Sequence, residues 1–92
     1  MTFTKRLHPG IVAGEITCTV RIWRRPRVKV GGRYRLGGGW IEVMSLREIG
    51  FSDVTPELAR ASGFAGVIDL LKTARHGRGE TVYLIDFIYV PA

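Results

Sequence analysis

The chain is poor in residues that carry covalent or metal chemistry. It has one cysteine, Cys18, and two histidines, His8 and His76. A single cysteine excludes an internal disulfide and any zinc cluster built on thiolates. It also fits a reducing cytosol. Neither histidine has carboxylates at a ligand-like spacing, so no metal and no cofactor is expected. Cys18 falls on the apolar side of a strand pattern and reads as buried and inert. No apolar run approaches the ~20 residues that cross a bilayer. The opening residues MTFTKR do not lead into a signal-type apolar segment. The expectation is a cytoplasmic protein without a membrane partner.

Acidic residues are scarce as well. Fourteen Lys and Arg face eight Asp and Glu, for a net charge of +6 in 92 residues. Such a field draws polyanions. The length suits one domain over residues 1–92, with a real but modest core. Apolar residues make up 46%, which excludes wholesale disorder. Twelve glycines against four prolines point to many turns and short strands.

Residues 7–14 read as a short helix, with Pro9 in the first turn and Gly14 closing it in a left-handed conformation. Residues 16–23 alternate with period two. Ile16, Cys18, Val20 and Ile22 share one face; Thr17, Thr19, Arg21 and Trp23 share the other. Residues 24–27 form a loop or edge around Pro26, and residues 28–30 a brief extended piece ending at Gly31 and Gly32. Strands follow at 33–36 and 40–46, joined by a turn at Gly37, Gly38 and Gly39. That glycine run lacks the following Lys-Ser/Thr and helix of a P-loop. Ser52, Asp53, Thr55, Pro56 and Glu57 announce a helix start, with Thr55 as N-cap and Gly63 as the stop. A second helix over 65–75 carries Val67, Ile68, Leu71 and Ala74 at helical spacing. His76, Gly77, Arg78 and Gly79 form a polar loop. A last apolar strand over 81–90 holds Tyr83, Phe87 and Tyr89, which read as core or, in the alternative, as a partner surface. Strands close in sequence pair antiparallel, and the returning last strand lets the sheet close into a small barrel. The fold class is α+β: a small, mostly antiparallel β-barrel with two or three short helices.

Residues 16–41 hold seven basic residues and no acidic one: Arg21, Arg24, Arg25, Arg27, Lys29, Arg33 and Arg35. Arginine presents a planar fork that matches phosphate and stacks on bases. Trp23, Tyr34 and Trp40 lie in or beside the cluster. Cations tracking a backbone, with aromatics stacking on bases, are the basis of single-strand binding. The competing reading is a charged edge that blocks aggregation. Thr17, Thr19 and Arg21 put two hydroxyls and a guanidinium on one strand face, aimed either into a cleft or to solvent.

These residues resemble the ASCH domains, relatives of the PUA RNA-binding barrel, over most of the chain. The family pattern I-x-x-G-x-K-x-x-T-x-R is similar to the stretch from Ile11 to Arg21, with Gly14, Thr19 and Arg21 matching. Val28, Lys29, Val30, Gly31 and Gly32 look like the family's Y/F-K-V-G-D turn. Asp53, Val54 and Thr55, then Leu58, Ala59, Arg60, Gly63 and Phe64, resemble D-I-T-x-E-x-A-x-x-E-G-F. Val82 to Phe87 resembles the closing V-x-x-I-x-F strand. The resemblance implies a PUA-like barrel with a cleft for RNA or a nucleotide. It also implies, for some members, amidohydrolysis of N4-acetylcytidine by a lysine, a threonine and a glutamate, and for others ribonuclease activity. Thr19 stands at the threonine position. Ile16 replaces the lysine and Ser62 the glutamate, and neither supplies proton chemistry near neutral pH.

The expected function is therefore binding of single-stranded RNA or a nucleotide through Thr17, Thr19, Arg21, Trp23, Arg24, Arg25, Arg27, Lys29, Arg33, Arg35 and Trp40. The alternative is a ribonuclease or nucleoside hydrolase with divergent residues, in which Thr19 and Arg21 would be catalytic. Such an enzyme needs an acid facing the cleft, with Glu42, Glu48 and Asp53 as the candidates. A monomer or weak dimer is expected.

Overall fold

The computed structural model of the protein describes residues 2–75 and 79–92; the expected loop residues His76, Gly77 and Arg78 lie outside them. A 3₁₀ turn at Lys5–Leu7 runs into α1 (His8–Val12). Three strands follow: β1 (Cys18–Trp23), β2 (Arg33–Leu36) and β3 (Gly39–Ile49). After a 3₁₀ turn at Phe51–Asp53 come α2 (Pro56–Ala61), α3 (Val67–Ala74) and β4 (Thr81–Pro91). The order of helix, three strands, two helices and strand is the one the sequence pattern implies.

Local chemistry sets the boundaries. Gly14 takes φ 78° after α1, and Gly63 takes φ 93° after α2. Both are left-handed positions that disfavour any side chain. The Thr55 hydroxyl accepts from the Leu58 amide at 3.1 Å, and Pro56 fills the first turn of α2. Asp53 does not start that helix. Its carboxylate accepts from the Gly50 amide at 2.9 Å and caps the 3₁₀ turn instead. In α3 the buried stripe is Val67, Leu70, Leu71 and Ala74. Ile68 stands off that stripe and is 72% exposed, because the i, i+3, i+4, i+7 set starting at Val67 passes it by.

The sheet is antiparallel throughout, in the order β1-β4-β3-β2. The last strand thus lies between the first and the third. A β-bulge between Val43 and Ser45 bends β3. The sheet curls into a half-barrel and does not close, since β1 and β2 are its two outer strands. Four strands are fewer than even the small five-stranded barrels use. The expected extended piece at residues 28–30 is not a strand. It turns at Gly31, φ 81°, and ties to β3 by Gly31 N–H to Val43 O at 2.8 Å and Val43 N–H to Gly32 O at 3.0 Å.

Both faces of β1 are covered. Val20 and Ile22 join Ile11, Ala59, Leu70, Ala74, Val82 and Leu84 in a core under the helices. Trp23 joins Val28, Val43 and Ile85 in a second, smaller core, with Tyr34, Leu46 and Tyr83 against it. Phe87, at 1% exposure, is core. Tyr83 packs on Trp23 at 6.0 Å between ring centroids. The aromatics of β4 are therefore internal packing, as the core reading held.

Candidate functional site

A cleft of about 180 Å³ opens beside β1. Its walls are Thr19 and Arg21 of β1, Thr2, Phe3 and Thr4 of the N-terminal segment, Phe64, and Thr73 at the end of α3. Arg21 is its central group and is buried, at 7% exposure. Its Nε donates to Thr19 Oγ1 at 3.3 Å and its Nη2 donates to the Thr2 carbonyl. The guanidinium lies over the Phe3 ring at 4.8 Å from the centroid. Phe3 in turn packs on Phe87 at 5.6 Å, tilted by 60°. Burial lowers the Arg21 pKa to about 10, so the group stays cationic at neutral pH.

The period-two pattern placed Thr19 and Arg21 together, and the structure keeps them together in the cleft. Thr17 is exposed just before β1, where its carbonyl accepts from Phe87 N–H at 2.9 Å. Trp23 differs from the expectation. It is 3% exposed in the second core and has no free ring face for a base. The cause is the loop after β1, which folds back and seats Val28 against it.

The basic residues divide into two groups. Arg33 and Arg35 stand on the β2–β3 hairpin and are occupied by cross-strand neighbours. Arg33 Nε pairs with Glu42 Oε1 at 2.9 Å, and Arg35 lies over the Trp40 ring at 5.6 Å. Trp40 is half-buried there. Arg24, Arg25, Arg27 and Lys29 are exposed, and among the described residues none of the four takes part in an ion pair. This loop starts three residues beyond Arg21, about 10 Å along an extended strand. At Lys29 the backbone N–H donates to Tyr34 Oη at 3.1 Å and the carbonyl accepts from Gly32 N–H at 3.0 Å.

Acid–base chemistry has little to work with. Among the described residues that line the cleft there is no Asp, Glu, His, Lys or Cys. Glu42 is held by Arg33, and Asp53 caps its turn. Glu48 is exposed on β3 and is not among the cleft residues. Ile16 lies against Gly63, the residue after Ser62, where an added side chain would meet Ile16 Cδ1 at 2.8 Å. Ser62 is buried, donates to the Leu58 carbonyl at 2.8 Å, and lies 3.7 Å from Cys18 Sγ. Cys18 is half-buried, and burial raises its thiol pKa; the Ser62 hydroxyl opposes this and the Asp86 charge adds to it. Among the described residues no group of three His, Cys, Asp or Glu is placed to hold a metal ion. No described helix is long and apolar enough to cross a membrane.

Sequence reasoning did not find Thr2, Phe3, Thr4, Phe64 or Thr73 as cleft residues. Thr73 and Phe64 come from far along the chain. Phe3 had one signal, a lone aromatic in an otherwise polar and basic opening segment. No family model, no curated protein and no solved structure matches this chain.

Proposed function

We propose that the protein is a binding module of the ASCH type, with a PUA-like sheet, for single-stranded RNA or a nucleotide. The observation that carries this is a set of four exposed cations that make no ion pair among the described residues and that begin three residues along the chain from the buried guanidinium of the cleft. Arg24, Arg25, Arg27 and Lys29 offer phosphate contacts without a competing carboxylate. Arg21 and Thr19 offer a fork and a hydroxyl to one nucleotide unit in the cleft. The Arg33–Glu42 and Arg35–Trp40 pairs place the hairpin arginines outside this set. Hydrolysis is the weaker reading, because Ile16 and Ser62 stand where the family resemblance asks for a lysine and a glutamate.

Fluorescence anisotropy with a labelled short single-stranded RNA tests the proposal. Binding at low salt that weakens steeply as salt rises is expected. Absence of binding at low salt, or binding indifferent to salt, overturns it.

A further inference from the structure

The cleft is small for the ligand class it is proposed to take. Small-molecule sites usually run to about 300–1,000 Å³, and this one holds about 180 Å³. The shortfall has a visible cause, since residues 2–4 form one wall of it. They make two contacts with Arg21: the Thr2 carbonyl accepts from Nη2, and the Phe3 ring lies against the guanidinium at 4.8 Å. An oxygen acceptor and a flat π-face are the two things an arginine takes from a nucleotide.

We infer that residues 2–4 are a self-occluding strap, a nucleotide mimic built into the chain that occupies Arg21 until RNA displaces it. This rests on the binding reading above and names how that site is regulated. The strap is tied to the 3₁₀ turn at its last residue, where the Thr4 carbonyl accepts from Leu7 N–H at 3.0 Å. The Phe3 carbonyl lies 3.3 Å from His8 Nε2, and the Phe3 ring is half-buried against Phe87. Thr2 and Thr4 are exposed. Beyond the strap, Leu7 and Ile11 are buried in the core, so the chain from residue 7 onward stays anchored while residues 2–4 swing out. The site thereby keeps its buried cation stacked and hydrogen-bonded in the absence of ligand.

The test compares the full chain with its Phe3→Leu variant, which keeps an apolar side chain against Phe87 and removes the ring face. Modification of Arg21 by phenylglyoxal, followed by peptide mass spectrometry, is expected to run several-fold faster in the variant. An unchanged rate overturns the strap without reference to any ligand. Affinity for a short single-stranded RNA is expected to rise roughly three- to tenfold, the value of one arginine–ring contact. If wild type binds RNA and the variant binds it no better, the strap falls and the binding reading stands. If neither protein binds RNA, the binding reading falls and the labelling rate still decides whether residues 2–4 cover Arg21. A third measurement needs no variant. Amide exchange in the wild-type peptide spanning residues 2–7 is expected to quicken on RNA saturation, and slower or unchanged exchange overturns the displacement.

Discussion

Replacing Arg24, Arg25 and Arg27 together by glutamine isolates the charge term from everything else. The three side chains are exposed and unpaired among the described residues, so folding stability should move by no more than about 0.5 kcal/mol per site. Their effect on binding is large by comparison. Each phosphate neutralised on a single strand contributes about −0.7 to the slope of log affinity against log salt. With Lys29 the loop offers four such contacts, which contribute about −2.8 to the wild-type slope; a phosphate held by Arg21 would add equally to wild type and variant. Raising salt from about 50 to about 200 mM then weakens wild type by about 50-fold through the loop contacts. The variant retains one of them, a contribution near about −0.7, and a loss of only about threefold over the same range. Anisotropy titrations at four or five salt concentrations read both slopes directly. A variant slope equal to that of wild type would refute the reasoning, since the loop would then touch no phosphate.

Three further outcomes follow from other parts of the molecule. A side chain at Gly79 would collide with the backbone of Trp23 and Arg24, which cannot move aside as a flexible side chain does. Gly79→Ala should cost about 3 kcal/mol and lower Tm by at least about 10 °C; a calorimetric Tm equal to wild type would show that the loop relaxes freely. Thr55→Ala removes the α2 cap and should cost about 1 kcal/mol, read as a shift in the urea midpoint at constant m. The raised Cys18 pKa means less thiolate than an ordinary cysteine at about pH 8, so iodoacetamide should label it slowly, with the rate still climbing at higher pH. Asp86→Asn removes a charge that raises that pKa and should speed the labelling; slower labelling in the variant contradicts the assignment.

The elements were legible where local chemistry decides them. Thr55, Pro56 and Gly63 bracket α2 as their types require, and β2 sits at the expected residues. The alternation in β1 grouped Thr19 with Arg21 correctly. The same alternation suggested a polar, accessible face, and that part failed at Trp23. A strand covered on both sides can carry Thr and Arg inward when distant residues satisfy them. Here Thr2 and Phe3 do so for Arg21, the Val28 turn covers Trp23, and none is visible as a local pattern. The piece at residues 28–30 has strand-like residues, yet Gly31 turns it and two backbone bonds to Val43 hold it as a loop. Charge counting found the basic stretch. It took the register of β2 against β3 to separate Arg33 and Arg35, which have partners, from the four cations that make no ion pair among the described residues.

The position of β4 has a consequence for how the chain is made. Among the described residues only the β2–β3 hairpin joins strands that are close in sequence; β1 meets nothing in the sheet until β4 lies between it and β3. Cys18 pairs with Asp86, and Gly39 with Pro91. A nascent chain on the ribosome therefore carries an isolated hairpin and unburied apolar strands until residues 81–91 have emerged. Two-stranded hairpins are marginal alone in water, and distant pairings close slowly. Formation of the sheet then waits on β4, and the exposed arginines and lysine of the early segment add mutual repulsion to the waiting chain.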